Sequence, residues 1–204
     1  APCLVVSAMT GAAVSRAVIE EMFWVTLVMI VATLLLAAVV IALSRQSLRA
    51  YLGPLVFPNA GNMGLPVCLF AFGEQGLVLA IAVFMMLSLV HFTLGIALVS
   101  GRSVLQEMVR NPIIYSIAAA LIMIYGELSL PRWLQNTVSL LGDMTIPLML
   151  ITLGVSLANM RVAQLGKSAT FALLRLAIGV GVGWGVAAGF GLTGVARGVV
   201  ILQS

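Results

Sequence analysis

Charged side chains are scarce in this sequence of 204 residues: Asp, Glu, Lys and Arg together account for 8% of it. Soluble domains carry about 25%, so there is too little polar surface to clothe a water-soluble globule, and lipid must be the solvent. Cysteine is nearly absent. Cys3 and Cys68 both sit within apolar segments, where a free thiol behaves as a small hydrophobe, and the pair gives no basis for a disulfide framework or a metal site. The chain has no GxxxxGKS or GxxxxGKT phosphate loop, no HExxH or paired CxxC metal pattern and no GxSxG nucleophile turn. Nothing therefore couples it to nucleotide hydrolysis, no cofactor is called for, and an intramembrane enzyme is disfavoured. The first residues lack a basic region followed by a short apolar stretch and a small-residue cleavage site. Ala1 instead opens inside an apolar segment, as though an earlier helix preceded it.

What is present is apolar text: 62% of the residues are hydrophobic and the mean hydropathy is +1.21. Stretches near the length that crosses a hydrocarbon core of roughly 30 Å recur along the chain. Expected segments are Ala1–Ala13, Met22–Leu43, Ala50–Phe72, Gly76–Ser100, Asn111–Tyr125, Leu141–Ala158, Ser168–Phe190 and a stub at Val195–Ser204. The expectation is an all-α, polytopic membrane bundle forming a single transmembrane domain in contact with the lipid bilayer. The net charge of +4 marks cytoplasmic loops rather than a nucleic-acid surface. Arg45 with Arg49, Arg102 with Arg110 and Arg161 with Lys167 fall on three alternate connections, whereas Arg16 and Arg132 stand alone on the others. The loops after the second, fourth and sixth segments are thus expected in the cytoplasm.

An internal repeat is also visible. Shifting the sequence by 145 places Pro2 on Pro147 and aligns PCLVVSAMTG with PLMLITLGVS. The same shift lays 22–43 over 167–188 and GPLVFPN from Gly53 over GVVILQS from Gly198. The first and sixth segments are an odd number of crossings apart, so the two copies must run in opposite directions. That is the inverted repeat of many secondary transporters, with 1–100 as part of the first copy and 101–204 as part of the second.

The oddest stretch is LGPLVFPNAGNMGLPVCLF, Leu52 to Phe70, which sets Pro54, Pro58 and Pro66, Gly53, Gly61 and Gly64, and Asn59 and Asn62 inside a membrane crossing. Proline removes a backbone donor and glycine weakens a helix, so the backbone is expected to open between Pro58 and Pro66. Unpaired backbone at membrane depth is tolerated around a cavity. Two half-helices would offer a positive and a negative end there, and Asn59 and Asn62 both donate and accept hydrogen bonds. A proline-kinked helix with its asparagines bonded to neighbouring backbone is the competing reading. A second interrupted stretch, Gly142 to Leu157, carries Asp143, Thr145, Pro147 and Thr152. Pro147 removes the hydrogen bond to the Asp143 carbonyl, and a threonine hydroxyl can help satisfy the freed groups. Asp143 is either a proton or cation site or an interfacial acid at a helix start. Arg175, roughly 12 Å along its helix from Lys167, is a candidate for holding an anionic substrate, and Arg197 invites the same argument. His91, the single histidine, is read either as a proton carrier or as a donor in helix packing. Glu74 is read as a loop or interfacial residue, and the small-xxx-small spacing from Ile178 to Gly194 as a close helix contact.

FPNAGNMGLPV, Phe57 to Val67, resembles the signature of the auxin efflux carrier family, whose members carry an Asn-x-Gly-x-x-Gly-x-Pro stretch in a broken crossing helix. APCLVVSAM resembles that family's second helix, RNPIIYSIAAAL its sixth, GDMTIPLMLITLGVSLA its seventh and GVVILQS the start of its ninth. The resemblance implies a fold of ten helices in two inverted five-helix repeats with broken crossover helices, related to bile acid sodium symporters, of which this chain lacks the first helix, part of the second crossover and the tenth. It also implies an elevator-like secondary or facilitative carrier of a small organic anion, either a dicarboxylate such as malate or malonate or an auxin-like weak acid, with a proton or sodium ion as possible coupling ion. Pro58, Asn59, Asn62 and Pro66 would then belong to the first crossover, and Gln203 and Ser204 would lead into the second. A multi-pass protein of a bacterial inner membrane, free or as a homodimer, is the expected setting. A membrane sensor on the same scaffold is the alternative.

Overall fold

The computed structural model describes residues 2–11, 15–95, 108–160 and 165–204. Every regular element among them is helical. In chain order these are α1 (Pro2–Gly11), α2 (Arg16–Leu43), α3 (Leu48–Val56), α4 (Leu65–Val90), α5 (Pro112–Gly126), α6 (Arg132–Asp143), α7 (Thr145–Ala158), α8 (Leu165–Gly189) and α9 (Gly194–Gln203). Two π-helical turns, Ala60–Gly64 and His91–Gly95, flank α4. Among the described residues, four helical runs are long and apolar enough to cross a membrane: Arg16–Leu43, Ala50–Thr93, Arg132–Ala158 and Ser168–Gly189. Large apolar side chains such as Trp24, Leu35, Leu43, Phe70 and Leu173 remain exposed, an arrangement that hydrocarbon accommodates and water does not. The protein is a polytopic helical membrane protein.

The run Ala50–Thr93 joins two expected crossings. Its 44 residues would reach roughly 66 Å if straight, about twice the hydrocarbon thickness. It is not straight. Gly73 has φ 66 and ψ −159, and the chain doubles back there. A Cβ on Gly61 would lie 3.0 Å from the Phe84 ring, and the Phe57 and His91 rings stand 4.6 Å apart. α4 is thus a hairpin of two antiparallel arms, Leu65–Phe72 and Glu74–Val90, with Glu74 at the turn as expected. The second arm is buried almost all round from Leu77 to Ser88, the mark of a central helix. Residues 96–100 and the expected repeat boundary near residue 100 lie outside the described residues.

Two other boundaries differ from the expected ones. α2 starts at Arg16 rather than Met22, because Ser15 supplies an extended residue (φ −64, ψ 144) before the helix and Glu20 and Glu21 stay exposed on its outer turns. The expected crossing Leu141–Ala158 is preceded by an amphipathic helix, α6, whose interleaved polar residues hide it from an apolar-run criterion.

The helices pack as two groups. α1 lies against α5 and α6, and α6 runs on into α7. In the second group α2 packs on α3, α4 and α8, while α9 packs on α4 and α8. The seam between the groups runs where α7 meets the Ala60–Gly64 turn and where α1, α5 and α7 touch α4. At one end of the bundle, Arg16 at the start of α2 donates to Glu127 beyond the end of α5 at 2.6 Å. Those two helix ends therefore share a face, and Arg45 and Arg110 belong to the opposite ends of the same helices. Arg102 and Arg161 lie outside the described residues, as do the side chains of Arg49 and Lys167.

Candidate functional site

The break in the first crossover follows from its residues. α3 accommodates Pro54 but ends at Val56, because a residue before proline avoids helical angles. Phe57 is extended (φ −94, ψ 111) and its N–H closes the helix on the Gly53 carbonyl at 2.9 Å. After Pro58, Asn59 (φ −78, ψ 60) starts the next helix without a side-chain cap. The Asn59 carbonyl accepts from both Met63 N–H at 3.2 Å and Gly64 N–H at 3.0 Å, so the first turn is a wide π turn. The N–H groups of Ala60, Gly61 and Asn62 open that turn with no carbonyl behind them to bond. Opening is confined to Phe57–Asn59 and does not extend to Pro66, which enters the first turn of α4, where proline fits a helix.

Cavities lie on both sides of this break and share Pro58, Asn59 and Ala60 on their walls. The first, of about 470 Å³, is also lined by Gly61, Asn62, Ser88 and His91, with Phe57, Phe84, Leu87, Phe92, Ile113 and Met149 as its apolar wall. The side chains of Asn59 and Asn62 are exposed. The His91 ring meets the rings of Phe57 and Phe92 edge-on, with centroids 4.6 and 5.3 Å away. The second cavity, of about 620 Å³, is bounded by Met63, Gly64, Arg175, Gly179 and Ser204. There Arg175 Nη2 donates to the Ser204 carbonyl at 3.1 Å, and Ser204 Oγ donates to the Gly179 carbonyl at 2.7 Å.

The structure therefore brings Pro58, Asn59, Gly61 and Asn62 together with His91, and Pro58, Asn59 and Gly64 together with Arg175 and Ser204. Gln203 lies between the crossovers, fully buried. A Cβ on Gly64 would come 2.7 Å from Gln203 Oε1, and Gln203 Nε2 is 3.9 Å from Cys68 Sγ. Of the Gly142–Leu157 stretch, Met149 reaches the first cavity and the site candidates do not. α6 stops at Asp143 and α7 starts at Thr145, so Pro147 occupies a first turn and is exposed. Thr145 Oγ1 donates to the Leu141 carbonyl at 3.1 Å and Thr152 Oγ1 to the Met149 carbonyl at 2.8 Å. Asp143 is exposed, and Asp143, Thr145, Pro147 and Pro66 line neither cavity. Arg197 sits 5.8 Å from the Trp184 ring centroid, also away from both. Among the described residues no three His, Cys, Asp or Glu side chains cluster.

Ser88 and Met149 line the first cavity without having been singled out by sequence. Ser88 precedes His91 by one helical turn and shares its face, a spacing that would have found it. Met149 has no such signal, because only the fold brings α7 to the break.

A family profile described as membrane transport protein matches residues 96–204. An uncharacterized transporter, MJ1031, of Methanocaldococcus jannaschii is 34% identical over 111 residues, covering 49% of this chain and 35% of that relative. The match thus spans about a third of the relative's length. No solved structure matches the chain.

Proposed function

The chain belongs to the membrane transport protein family, the auxin efflux carriers that its residues resemble, and on that premise we propose that it forms the solute path of a carrier for a small organic anion, working by elevator-type alternating access. The observation that carries this reading is the uncapped helix start at Asn59–Asn62, open to a cavity on either side. Free N–H groups and the positive end of a helix favour a carboxylate, and Asn59 and Asn62 supply further donors. The opposite wall is apolar, from Phe57 and Phe84 to Met149, which favours a weak acid with an apolar body over a dicarboxylate.

Two further observations support the mechanism. Among the described residues, polar lining of the first cavity comes from the group of helices that includes α3, α4 and α8, whereas the α1, α5, α6 and α7 group contributes Ile113 and Met149. A solute held by the one group would slide against an unspecific apolar surface on the other, as an elevator requires. The offset of 145 also relates helix ends: Leu43 at the end of α2 falls on Ala188, beside the end of α8 at Gly189, and Leu48 at the start of α3 falls on Thr193, beside the start of α9 at Gly194. It carries Asn59 to Ser204, and both line the second cavity. This supports an inverted repeat whose two interruptions meet at one site.

The test is uptake of labelled malate, malonate and indole-3-acetate into liposomes containing the whole protein. Asn59→Ala and Asn62→Ala should each lower uptake at least tenfold, about 1.4 kcal/mol of lost binding, while keeping a monodisperse fold. Normal uptake by both folded variants would remove the site.

A further inference from the structure

Resting on the carrier reading above, we propose that His91 is the proton site of the transport cavity, so that the solute anion crosses together with one proton held on that imidazole. The cavity walls carry this inference. Among the described residues, His91 is the one titratable side chain on the first cavity, and it stands against the break itself through its edge-on contact with Phe57. The elements that meet there are the Asn59–Gly64 turn, the second arm of α4, α5 and α7, and among the described residues they set no other charged group on the wall. Arg175 borders the second cavity, on the far side of Asn59. Arg110 and Asp143, which precede α5 and α7, line neither.

The His91 ring meets the rings of Phe57 and Phe92 edge-on, contacts that leave its nitrogens unused. Its side chain is exposed to the cavity. The charge balance then closes in both directions. A carboxylate entering a cavity whose polar groups are dipoles alone would carry a net negative charge through the bilayer, which is costly. With a proton on His91, the loaded cavity holds one positive and one negative charge. With the solute and the proton both released, the imidazole is neutral and the empty cavity can return. Histidine is the side chain whose ordinary titration range allows both states near neutral pH. Proton and solute must then reinforce each other's binding by the same factor.

Being the single histidine of the chain, His91 can be observed directly. Selectively labelled histidine in the whole protein, reconstituted in nanodiscs, gives ring resonances that report its protonation, with His91→Gln identifying the signal. Addition of malonate or indole-3-acetate at a fixed pH where the free ring is neutral should move those resonances to protonated positions. The bound probe should also bind about tenfold tighter at about pH 5.5 than at about pH 8, and His91→Gln should abolish that difference. In liposomes, an inward proton gradient should speed indole-3-acetate uptake several-fold over protein-free controls. Resonances unmoved by a saturating probe, or pH dependence that survives in His91→Gln, overturns the proton assignment. Uptake that ignores the proton gradient overturns it too and leaves the carrier standing; absence of binding and uptake of every probe at either pH overturns both.

Discussion

Gly73 is where one continuous helical run becomes two antiparallel arms, and its φ of 66 with ψ of −159 lies in a region open in practice to glycine alone. A side chain there meets no neighbour within 4 Å, so the penalty of a substitution is purely conformational. Gly73→Ala should lower stability by about 1–3 kcal/mol, read as a lower midpoint in a thermal assay in detergent. Gly73→Asn should fare no better, since its ψ is far from the left-handed helical values that asparagine tolerates; rescue by Asn would mean that the turn is built differently. Gln203 poses the reverse case. Among the described residues its Oε1 is buried without a partner, and such an orphan costs about 1–3 kcal/mol. Gln203→Met keeps the shape and removes the orphan, so the thermal midpoint should hold or rise. A marked fall would show that the amide is engaged by something the protein binds.

At the scale of the helix, α8 separates its glycines by face. Gly179 and Gly183, one turn apart, lie against the end of α9: a Cβ on Gly183 would come 3.0 Å from the Ile201 Cα and 2.9 Å from the Ser204 Cβ. A backbone atom cannot swing aside, so α9 would have to move away. Gly181 and Gly185, on the other face, meet nothing within 4 Å. Gly183→Ala should therefore destabilise the bundle by about 1–3 kcal/mol, the usual cost of overpacking, and lower uptake. Gly181→Ala should be neutral or add up to about 1 kcal/mol through helix propensity. Equal effects on thermal stability in the two variants would refute the assignment of faces. Close approach matters more here than in water, because lipid is as apolar as the helix and packing rather than burial holds membrane helices together.

Across the whole molecule, and among the described residues, polar side-chain bonds between the two helix groups collect at one end. Arg16 binds Glu127 at 2.6 Å and Tyr125 donates to Glu20 at 3.1 Å, joining α2 to the end of α5. If α2 and its partners slide past α5, these contacts must part in every cycle. Both members of the ion pair are well exposed, and exposed pairs contribute only about 0.2–1 kcal/mol. Glu127→Gln should thus change the uptake rate by no more than about fivefold, with the salt dependence of that rate reduced. A complete loss of transport in a folded Glu127→Gln protein would mean that the pair does more than latch two groups.

Much of this protein is written in local chemistry. Scarce charge and recurrent apolar runs determine a helical membrane protein without reference to any contact, because hydrocarbon admits few other spanning structures. Pro58 with its flanking glycines determines that the crossing breaks, since a missing donor and a restricted preceding residue act within a single turn. The tertiary structure decided what surrounds the break. It narrowed the opening to Phe57–Asn59, returned the hairpin so that Ser88 and His91 face it, brought Met149 and Ile113 across from the other helix group, and left Asp143 and Pro147 outside. Those residues are far apart in sequence and share no periodicity with the break. Only the packing of α4 against both groups brings the first set together and keeps the second away.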